Sequence, residues 1–169
     1  MEKKQKRRVI WLWCRDVILP FFLIYILFFQ VFGIEFVVGN SMEPTYKSGN
    51  ILLINRLQRR DVQRGDVVIA YAKNSSGEKK LLKRVIGIPG DTLYISQEGV
   101  VMINGAELDE PYAITPTPPG SYHVYPIQIP EGYVFLMGDN RPNSADSRSE
   151  YGLIAISDIV GIVIGSRRS

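Results

Sequence analysis

The feature that most limits the fold of this chain is an apolar run, residues 17–34, which contains no formal charge. As a helix, these 18 residues would span about 27 Å, close to the roughly 30 Å hydrocarbon core of a bilayer. Pro20 lies near the start of the run, where a helix tolerates proline best. The run therefore predicts one transmembrane helix, and the residues from Trp11 onward can supply any missing length.

The basic residues of the chain are concentrated before this run. Residues 1–8 have a net charge of +4, whereas the whole chain has +3, so the remainder is close to neutral. A basic face for nucleic acid is therefore not expected on the folded domain, and we expect no nucleic-acid partner. Because basic flanks stay in the cytoplasm, residues from about 36 onward should lie on the other side of the membrane.

Two other interpretations of the apolar run stay open. A cleaved secretory signal has the same basic-then-apolar order, but it needs a small-x-small exit, and residues 32–37 do not provide one. A buried helix of a soluble domain is the second. On the membrane interpretation, residues 1–8 form a basic cytoplasmic tail, residues 9–35 the transmembrane anchor, and residues 36–169 an extracytoplasmic β domain.

After the anchor, short apolar runs alternate with turn residues, a pattern typical of an all-β domain. Residues 73–80 read as a polar loop, and residues 97–130, rich in proline, as an extended loop or reduced subdomain. The chain is therefore predicted to be mainly β, with one N-terminal helix. Strands are expected within residues 51–54, 66–71, 81–88, 92–96, 99–103, 132–137 and 153–164.

Cysteine and histidine are too scarce for several kinds of site. Cys14 is the only cysteine and His123 the only histidine. An intramolecular disulfide is therefore impossible. A single histidine is too few for a histidine-built zinc site, and it leaves a Ser-His-Asp triad with only one candidate base. We expect no metal and no cofactor.

Ser41 is a candidate nucleophile. It lies in the sequence Gly-Asn-Ser-Met-Glu-Pro-Thr of residues 39–45, close behind the apolar run. Gly39 permits backbone angles that other residues resist, and Pro44 fixes the chain on the far side. Taken alone, the ordinary interpretation is a turn between two strands.

Lys83 is a candidate base. Lys83 and Arg84 interrupt an apolar strand, and alternation sends them to opposite faces, so one of them must face the more buried side. With a pKa near 10.4, only about one lysine in 2,500 is neutral at pH 7, but desolvation lowers that pKa. A neutral lysine can then replace histidine beside a serine. The alternative is an edge-strand lysine that blocks aggregation.

A third stretch, residues 138–148, is dense in hydrogen-bonding groups directly after an apolar strand. By itself it reads as a solvated loop. Together with the motifs at residues 39–45, 65–68 and 83–91, however, it resembles type I signal peptidases, the membrane-anchored serine proteases that cut signal peptides from secreted proteins. The resemblance extends from the anchor almost to the C-terminus.

The resemblance implies a signal-peptidase-like catalytic domain and a serine endopeptidase acting on preproteins. Ser41 would be the nucleophile, and its backbone N–H would help to bind the oxyanion. Lys83 would be the general base, and Ser144 would hydrogen-bond the lysine amine. The enzyme would work at the surface of a lipid bilayer, in the bacterial plasma membrane.

The same resemblance implies two supporting ion pairs. Asp146 and Arg148 would brace the polar loop, and Asp139 would pair with Arg84. The substrate would lie extended between the segment before Ser41 and the strand of Lys83. Shallow apolar pockets would select small residues one and three places before the cut.

Three features depart from the family pattern. Some relatives have a serine at the position of Gly39 whose hydroxyl helps to bind the oxyanion, so here backbone N–H groups must serve. Three residues separate Arg148 from Gly152, where two are usual. The inserted subdomain of long relatives must be reduced to something like residues 97–130.

Three rival functions fit the sequence less well. A self-cleaving repressor-type protease also uses serine and lysine, but it has a DNA-binding segment where this chain has an anchor. The endoplasmic-reticulum type of signal peptidase uses histidine, whereas Lys83 occupies the matching motif here. A non-catalytic, membrane-tethered β module would leave both Ser41 and Lys83 without a role.

Overall fold

A computed structural model describes residues 2–166, except for the side chains of residues 2–4 and 8–10. The predicted basic tail, residues 1–8, lies partly outside the described residues, because Met1 and the side chains of residues 2–4 and 8 are not described. The end of the predicted β domain, residues 167–169, also lies outside them.

The N-terminal apolar run forms a helix. It comprises α1 (Glu2–Trp13), a π-helical turn (Cys14–Ile18) and α2 (Leu19–Val31). Gln5–Val31 is long and apolar enough to cross a membrane by length and composition, and the rest of the chain buries none of its apolar window. The helix ends at Val31, before the end of the apolar run, because the next residues pair with another strand.

The described chain beyond the helix is rich in β-structure, which confirms the predicted mainly β fold. Eleven strands lie within the described residues: β1 (Phe32–Phe36), β2 (Ile51–Asn55), β3 (Val67–Asn74), β4 (Gly77–Gly87), β5 (Thr92–Ile95), β6 (Val101–Ile103), β7 (Ala106–Glu107), β8 (Ile127–Gln128), β9 (Tyr133–Met137), β10 (Ile154–Ala155) and β11 (Ile159–Val163).

The strands form two antiparallel sheets. The larger has the order β1-β2-β11-β3-β4-β9-β10, and the smaller has the order β7-β6-β5-β8. Three strands of the smaller sheet, β6, β7 and β8, lie within residues 97–130, the stretch that the sequence suggested to be a loop or reduced subdomain. The strands of this sheet share a core with β4 and β9 of the larger sheet, in which Leu93, Ile95 and Ile103 pack with Ile86 and Phe135.

Two secondary-structure predictions were wrong. Residues 73–80 belong mostly to β3 and β4, which continue to a tight turn at Ser75 and Ser76, where the Asn74 side chain accepts a hydrogen bond from the Ser76 N–H over 2.9 Å. The lysines of this stretch are exposed on the hairpin. Its polar composition therefore reflects contact with solvent and does not indicate a loop. Residues 153–164 form two strands separated by a 3-10 turn (Ile156–Asp158).

Strand β4 positions the site because its two edges are not equally occupied. It pairs with β3 from Gly77 to Arg84, but with β9 only from Arg84 onward. On the β9 side, residues 80–83 therefore face no strand among the residues that the structure describes. This free edge lies beside the segment that follows β1.

Candidate active site

Ser41 lies in the connection between β1 and β2. Val37 extends the β1–β2 pairing through two backbone hydrogen bonds of 2.9 Å. Gly39 then adopts a φ of +90°, a left-handed conformation that favours glycine. Beyond the serine, Met42 is only 1% exposed and packs in the core beneath the turn. The buried methionine and the strand pairing hold the two sides of the turn that carries the hydroxyl.

Lys83 lies on β4 and reaches Ser41. Its Nζ donates a hydrogen bond to Ser41 Oγ over 2.7 Å and another to the carbonyl oxygen of Leu82 over 3.1 Å. The lysine is 4% exposed. The structure thus brings the candidate nucleophile and the candidate base into direct contact, although they are 42 positions apart in sequence.

Burial changes the proton affinity of this amine. Desolvation lowers the pKa of Lys83 to about 8, and nearby charges act with opposite signs: Asp146 raises it, Arg148 lowers it and Asp139 raises it. With a pKa of about 8, roughly a tenth of the amines are neutral at pH 7, instead of about one in 2,500. The lysine can therefore accept a proton at ordinary pH.

Arg84, the neighbour of Lys83, is held by a carboxylate. Its Nε and Nη2 donate to the two oxygens of Asp139 over 2.8 and 2.7 Å, and both residues are almost fully buried. The Thr45 hydroxyl donates to Oδ2 of the same carboxylate over 2.5 Å. The expected ion pair is therefore present, and through Thr45 it also contacts the turn that carries Ser41.

The second expected ion pair is also present. Arg148 donates from Nε and Nη2 to the two oxygens of Asp146 over 2.9 and 2.7 Å. The carboxylate also accepts a hydrogen bond from the Gly138 N–H over 3.0 Å. The guanidinium reaches further, to the carbonyls of Arg141 and Pro118. This network fixes the shape of the loop after β9.

Ser144 differs from its expected position. Its Oγ is shielded from solvent and has no hydrogen-bond partner among residues 2–166, so the expected bond to the Lys83 amine is not formed. The side chain packs against Gly138, where an added Cβ would collide with Ser144 and with the Ser41 carbonyl oxygen. The hydroxyl therefore lies close to the Ser41 turn but does not reach the amine in this rotamer.

Two residues that contact the site had been assigned no role from sequence. Asn140 supports the backbone of the Ser41 turn, because its N–H donates to the Ser41 carbonyl over 3.0 Å and its side chain to the Asn40 carbonyl over 3.1 Å. Thr45 makes the contact to Asp139 described above. Both residues lie in the motifs that the sequence singled out, but only the folded chain shows which groups they meet.

A narrow cleft leads away from the serine and the lysine. It has a volume of about 120 Å³ and lies between residues 37–42 and the free edge of β4 at residues 80–83. At the level of β1, an ion pair of 2.5 Å joins Glu35 to Lys80 on β4. One side of the cleft is thus an open strand edge.

Other candidate groups lie elsewhere. The only histidine, His123, contacts the carbonyl oxygen of Ser147 over 3.0 Å and has no contact with Ser41. Among residues 2–166, no group of three or more His, Cys, Asp or Glu side chains is close enough to hold a metal ion.

The chain is similar in sequence to known proteins over most of its length. A family model described as signal peptidase, peptidase S26, matches residues 10–165. A signal peptidase I of Bacillus amyloliquefaciens is 34% identical over 167 residues, which cover 94% of this chain and 85% of that protein. A signal peptidase I of Bacillus caldolyticus is 32% identical over 175 residues, covering 96% and 91%. The crystal structure of a signal peptidase I from Enterococcus faecalis V583 aligns with a TM-score of 0.48 at 27% identity, covering 60% of this chain and 95% of that one.

Proposed function

This chain belongs to the signal peptidase family, peptidase S26, and on that premise we propose that Ser41 and Lys83 form its catalytic dyad. The chain is a serine endopeptidase that removes signal peptides from preproteins. The observation that carries the dyad is the 2.7 Å contact between the serine hydroxyl and a buried amine.

In the first step, neutral Lys83 accepts the proton of the Ser41 hydroxyl, and Oγ attacks the scissile carbonyl carbon. The tetrahedral intermediate collapses when Lys83 gives that proton to the departing amine, and the mature protein leaves. The signal peptide is then bound to Oγ through an ester. A lowered pKa suits both halves of this step, because the amine must first accept a proton and then release it.

In the second step, Lys83 accepts a proton from a water molecule, and the resulting hydroxide attacks the ester carbon. The ester bond breaks, Oγ takes the proton back from the lysine, and the signal peptide leaves with a free carboxylate. No metal or cofactor takes part in either step as proposed.

The oxyanion of each intermediate binds to backbone N–H groups, including that of Ser41. The Ser41 N–H donates no hydrogen bond to any residue that the structure describes, which leaves it available. Gly39 has no side-chain donor to add. Positioned backbone donors of this kind stabilise charge that develops in the transition state.

The substrate binds as an added strand in the cleft beside residues 80–83 of β4. An extended peptide there would use the backbone groups that β9 leaves unpaired, in the manner of β-augmentation. The small volume of the cleft, about 120 Å³, favours small side chains next to the cut. Ser144, Asp146, Arg148, Asp139 and Arg84 act as positioning residues around this cleft.

The enzyme is membrane-anchored, and the orientation belongs to the proposal. The helix Gln5–Val31 crosses the bacterial plasma membrane, with the basic N-terminus in the cytoplasm and the β domain outside. In this orientation the active site lies on the side at which exported preproteins emerge.

Processing of a preprotein in detergent tests the proposal. The wild-type chain should cut after a small-x-small sequence, which sequencing of the new N-terminus identifies. Ser41→Ala should abolish the cut, whereas Ser48→Ala, an exposed serine of the same connection, should retain it. Equal cleavage by the Ser41→Ala variant would refute the assigned nucleophile.

A further inference from the structure

A basic loop directly follows β2 and is attached to the end of the membrane helix. The N–H of Arg56 donates to the carbonyl oxygen of Val31, the last residue of α2, over 2.8 Å. In the adjacent β1–β2 pair, Asn55 lies opposite Phe32. The height of this loop relative to the bilayer is therefore set by the end of the helix, with no flexible linker between them.

The loop and the helix end form a concavity of about 510 Å³, lined by Gln30, Arg56, Leu57, Arg59 and Arg60. Within the described part of the chain, none of the three arginines forms an ion pair. The Nε of Arg56 is buried and has no hydrogen-bond partner there. The concavity thus presents positive charge that no carboxylate of the described chain neutralises.

Gly33 makes room for one of these side chains. A Cβ at this position would lie 2.8 Å from Nη2 and 2.9 Å from Nε of Arg56, closer than such contacts allow. Because glycine stands there, the guanidinium can lie against β1 beside the helix end. Its position is consequently fixed by the strand and not left to solvent.

The surroundings indicate a lipid and not a soluble anion. Leu57, in the middle of the arginines, is 72% exposed. The same hairpin also exposes apolar side chains in cross-strand pairs, Ile34 with Leu53 and Phe36 with Ile51. Apolar groups beside arginines, at the end of a helix that crosses the bilayer, match the boundary between acyl chains and phosphates.

We propose that this concavity binds the headgroup phosphate of an anionic phospholipid in the outer leaflet, with Arg56, Arg59 and Arg60 as the phosphate donors. The proposal rests on the membrane-spanning orientation given under the proposed function. A guanidinium suits this ligand because its planar fork can bind two phosphate oxygens at once. Binding would add a second attachment beside the helix end and so hold the β domain at a fixed tilt above the membrane.

Native mass spectrometry of the full chain in a neutral detergent tests this site. The dissociation constant of phosphatidylglycerol is measured for the wild type and for Arg59→Gln/Arg60→Gln, with phosphatidylcholine as the neutral reference. The control is Lys73→Gln/Lys79→Gln, which removes the same charge from the exposed β3–β4 hairpin. All variants keep the basic tail, so its contribution cancels.

The arginine variant should bind phosphatidylglycerol roughly tenfold more weakly or worse, and the lysine control should bind as the wild type does. Arg59→Lys/Arg60→Lys, which keeps the charge but loses the fork, should fall between them. Equal losses in the arginine and lysine variants would overturn the site, because net charge alone would then explain the binding.

Two further arms separate this proposal from its alternatives. Inorganic phosphate at the same concentration should not displace the lipid; displacement would indicate a general anion site and contradict the lipid assignment. Preprotein cleavage in detergent should be unchanged in the arginine variant. Loss of lipid binding with normal cleavage supports the site, whereas normal lipid binding refutes it and leaves the dyad untouched.

Discussion

Lys83 and Arg84 are consecutive buried cations on one strand. Of these two side chains, only that of Arg84 forms an ion pair with a carboxylate of the described residues. Arg84 is bound at both ends of its fork by Asp139, while the amine of Lys83 meets the Ser41 hydroxyl and a backbone carbonyl. An unpaired buried amine is costly when charged, and a paired guanidinium much less so. One strand therefore carries both a fixed charge and a group poised to lose its proton.

The pH dependence of catalysis should follow Lys83. Because the base must be neutral and burial lowers its pKa to about 8, kcat/KM for a preprotein should fall about tenfold per pH unit below that value and level off above it. Initial rates measured between pH 6 and 10 give this pH profile and the pH at which its acidic limb begins. A limb near pH 6 or one near pH 10.5 would contradict the assignment of Lys83 as the base.

Lys83→Met should make the protein more stable. The charged lysine opposes folding wherever its folded pKa lies below its unfolded value of 10.5, so a neutral side chain of similar length should raise the free energy of unfolding by roughly 1 to 3 kcal/mol at pH 7. The gain should shrink as pH rises from about 8 towards 10.5, because the lysine then loses its charge in the folded state.

Thermal unfolding in detergent at pH 7 and pH 9.5 measures that gain. Lys79→Met, at the exposed end of the same strand, is the control and should show no comparable gain. A Lys83→Met variant that is less stable than the wild type at pH 7 would show that the contacts of the amine outweigh its desolvation.

Thr45→Val should slow the chemical step more than it weakens binding. It removes the 2.5 Å hydrogen bond to Asp139, while that carboxylate keeps its fork with Arg84, so the stability loss should be only about 1 kcal/mol. The Ser41 turn loses a constraint, and kcat should fall roughly tenfold with KM nearly unchanged. Thr45→Ser should restore kcat; an unaltered kcat in Thr45→Val would exclude a positioning role.

Ser144→Ala should separate catalysis from stability. The hydroxyl has no partner among the described residues, so its loss should leave the free energy of unfolding unchanged or slightly higher. If a rotation brings it to the Lys83 amine during catalysis, kcat should fall by roughly tenfold. A drop in stability with normal kcat would contradict both expectations.

Ser149→Ala provides the stability contrast for that experiment. Its hydroxyl donates to the Asp146 carbonyl over 2.7 Å, so its removal should cost about 1 kcal/mol. Chemical denaturation of the two alanine variants side by side compares a bonded hydroxyl with an unbonded one in the same loop.

Much of the architecture followed from local patterns. The apolar run at residues 17–34 has the length of a membrane helix, and alternation around Lys83 indicated a strand with a cation on its more buried face, although the fold buries both Lys83 and Arg84. The partners of charged side chains followed from the family resemblance: Asp139 with Arg84, and Asp146 with Arg148. Both ion pairs are present in the structure. A buried guanidinium needs a carboxylate partner, and this requirement does not depend on the path of the connecting loops.

Other features depend on contacts that no local pattern encodes. The helix ends at Val31 because the next five residues pair with β2, although the first three of them continue the apolar run of the helix. Polar composition at residues 73–80 reads as a loop, yet it forms the exposed end of a hairpin. The roles of Thr45 and Asn140 depend on their distances to residues about one hundred positions away.

A double-mutant cycle of Ser41→Ala, Lys83→Met and the double variant tests the dyad most directly, with kcat/KM measured on one preprotein. Groups that act as a unit are not additive, so each single variant should lose nearly all of the activity and the double variant should lose no more. The Ser48→Ala chain again serves as the control. Substantial cleavage by Lys83→Met, or losses that multiply in the double variant, would show that the lysine acts independently of the serine and would contradict the account.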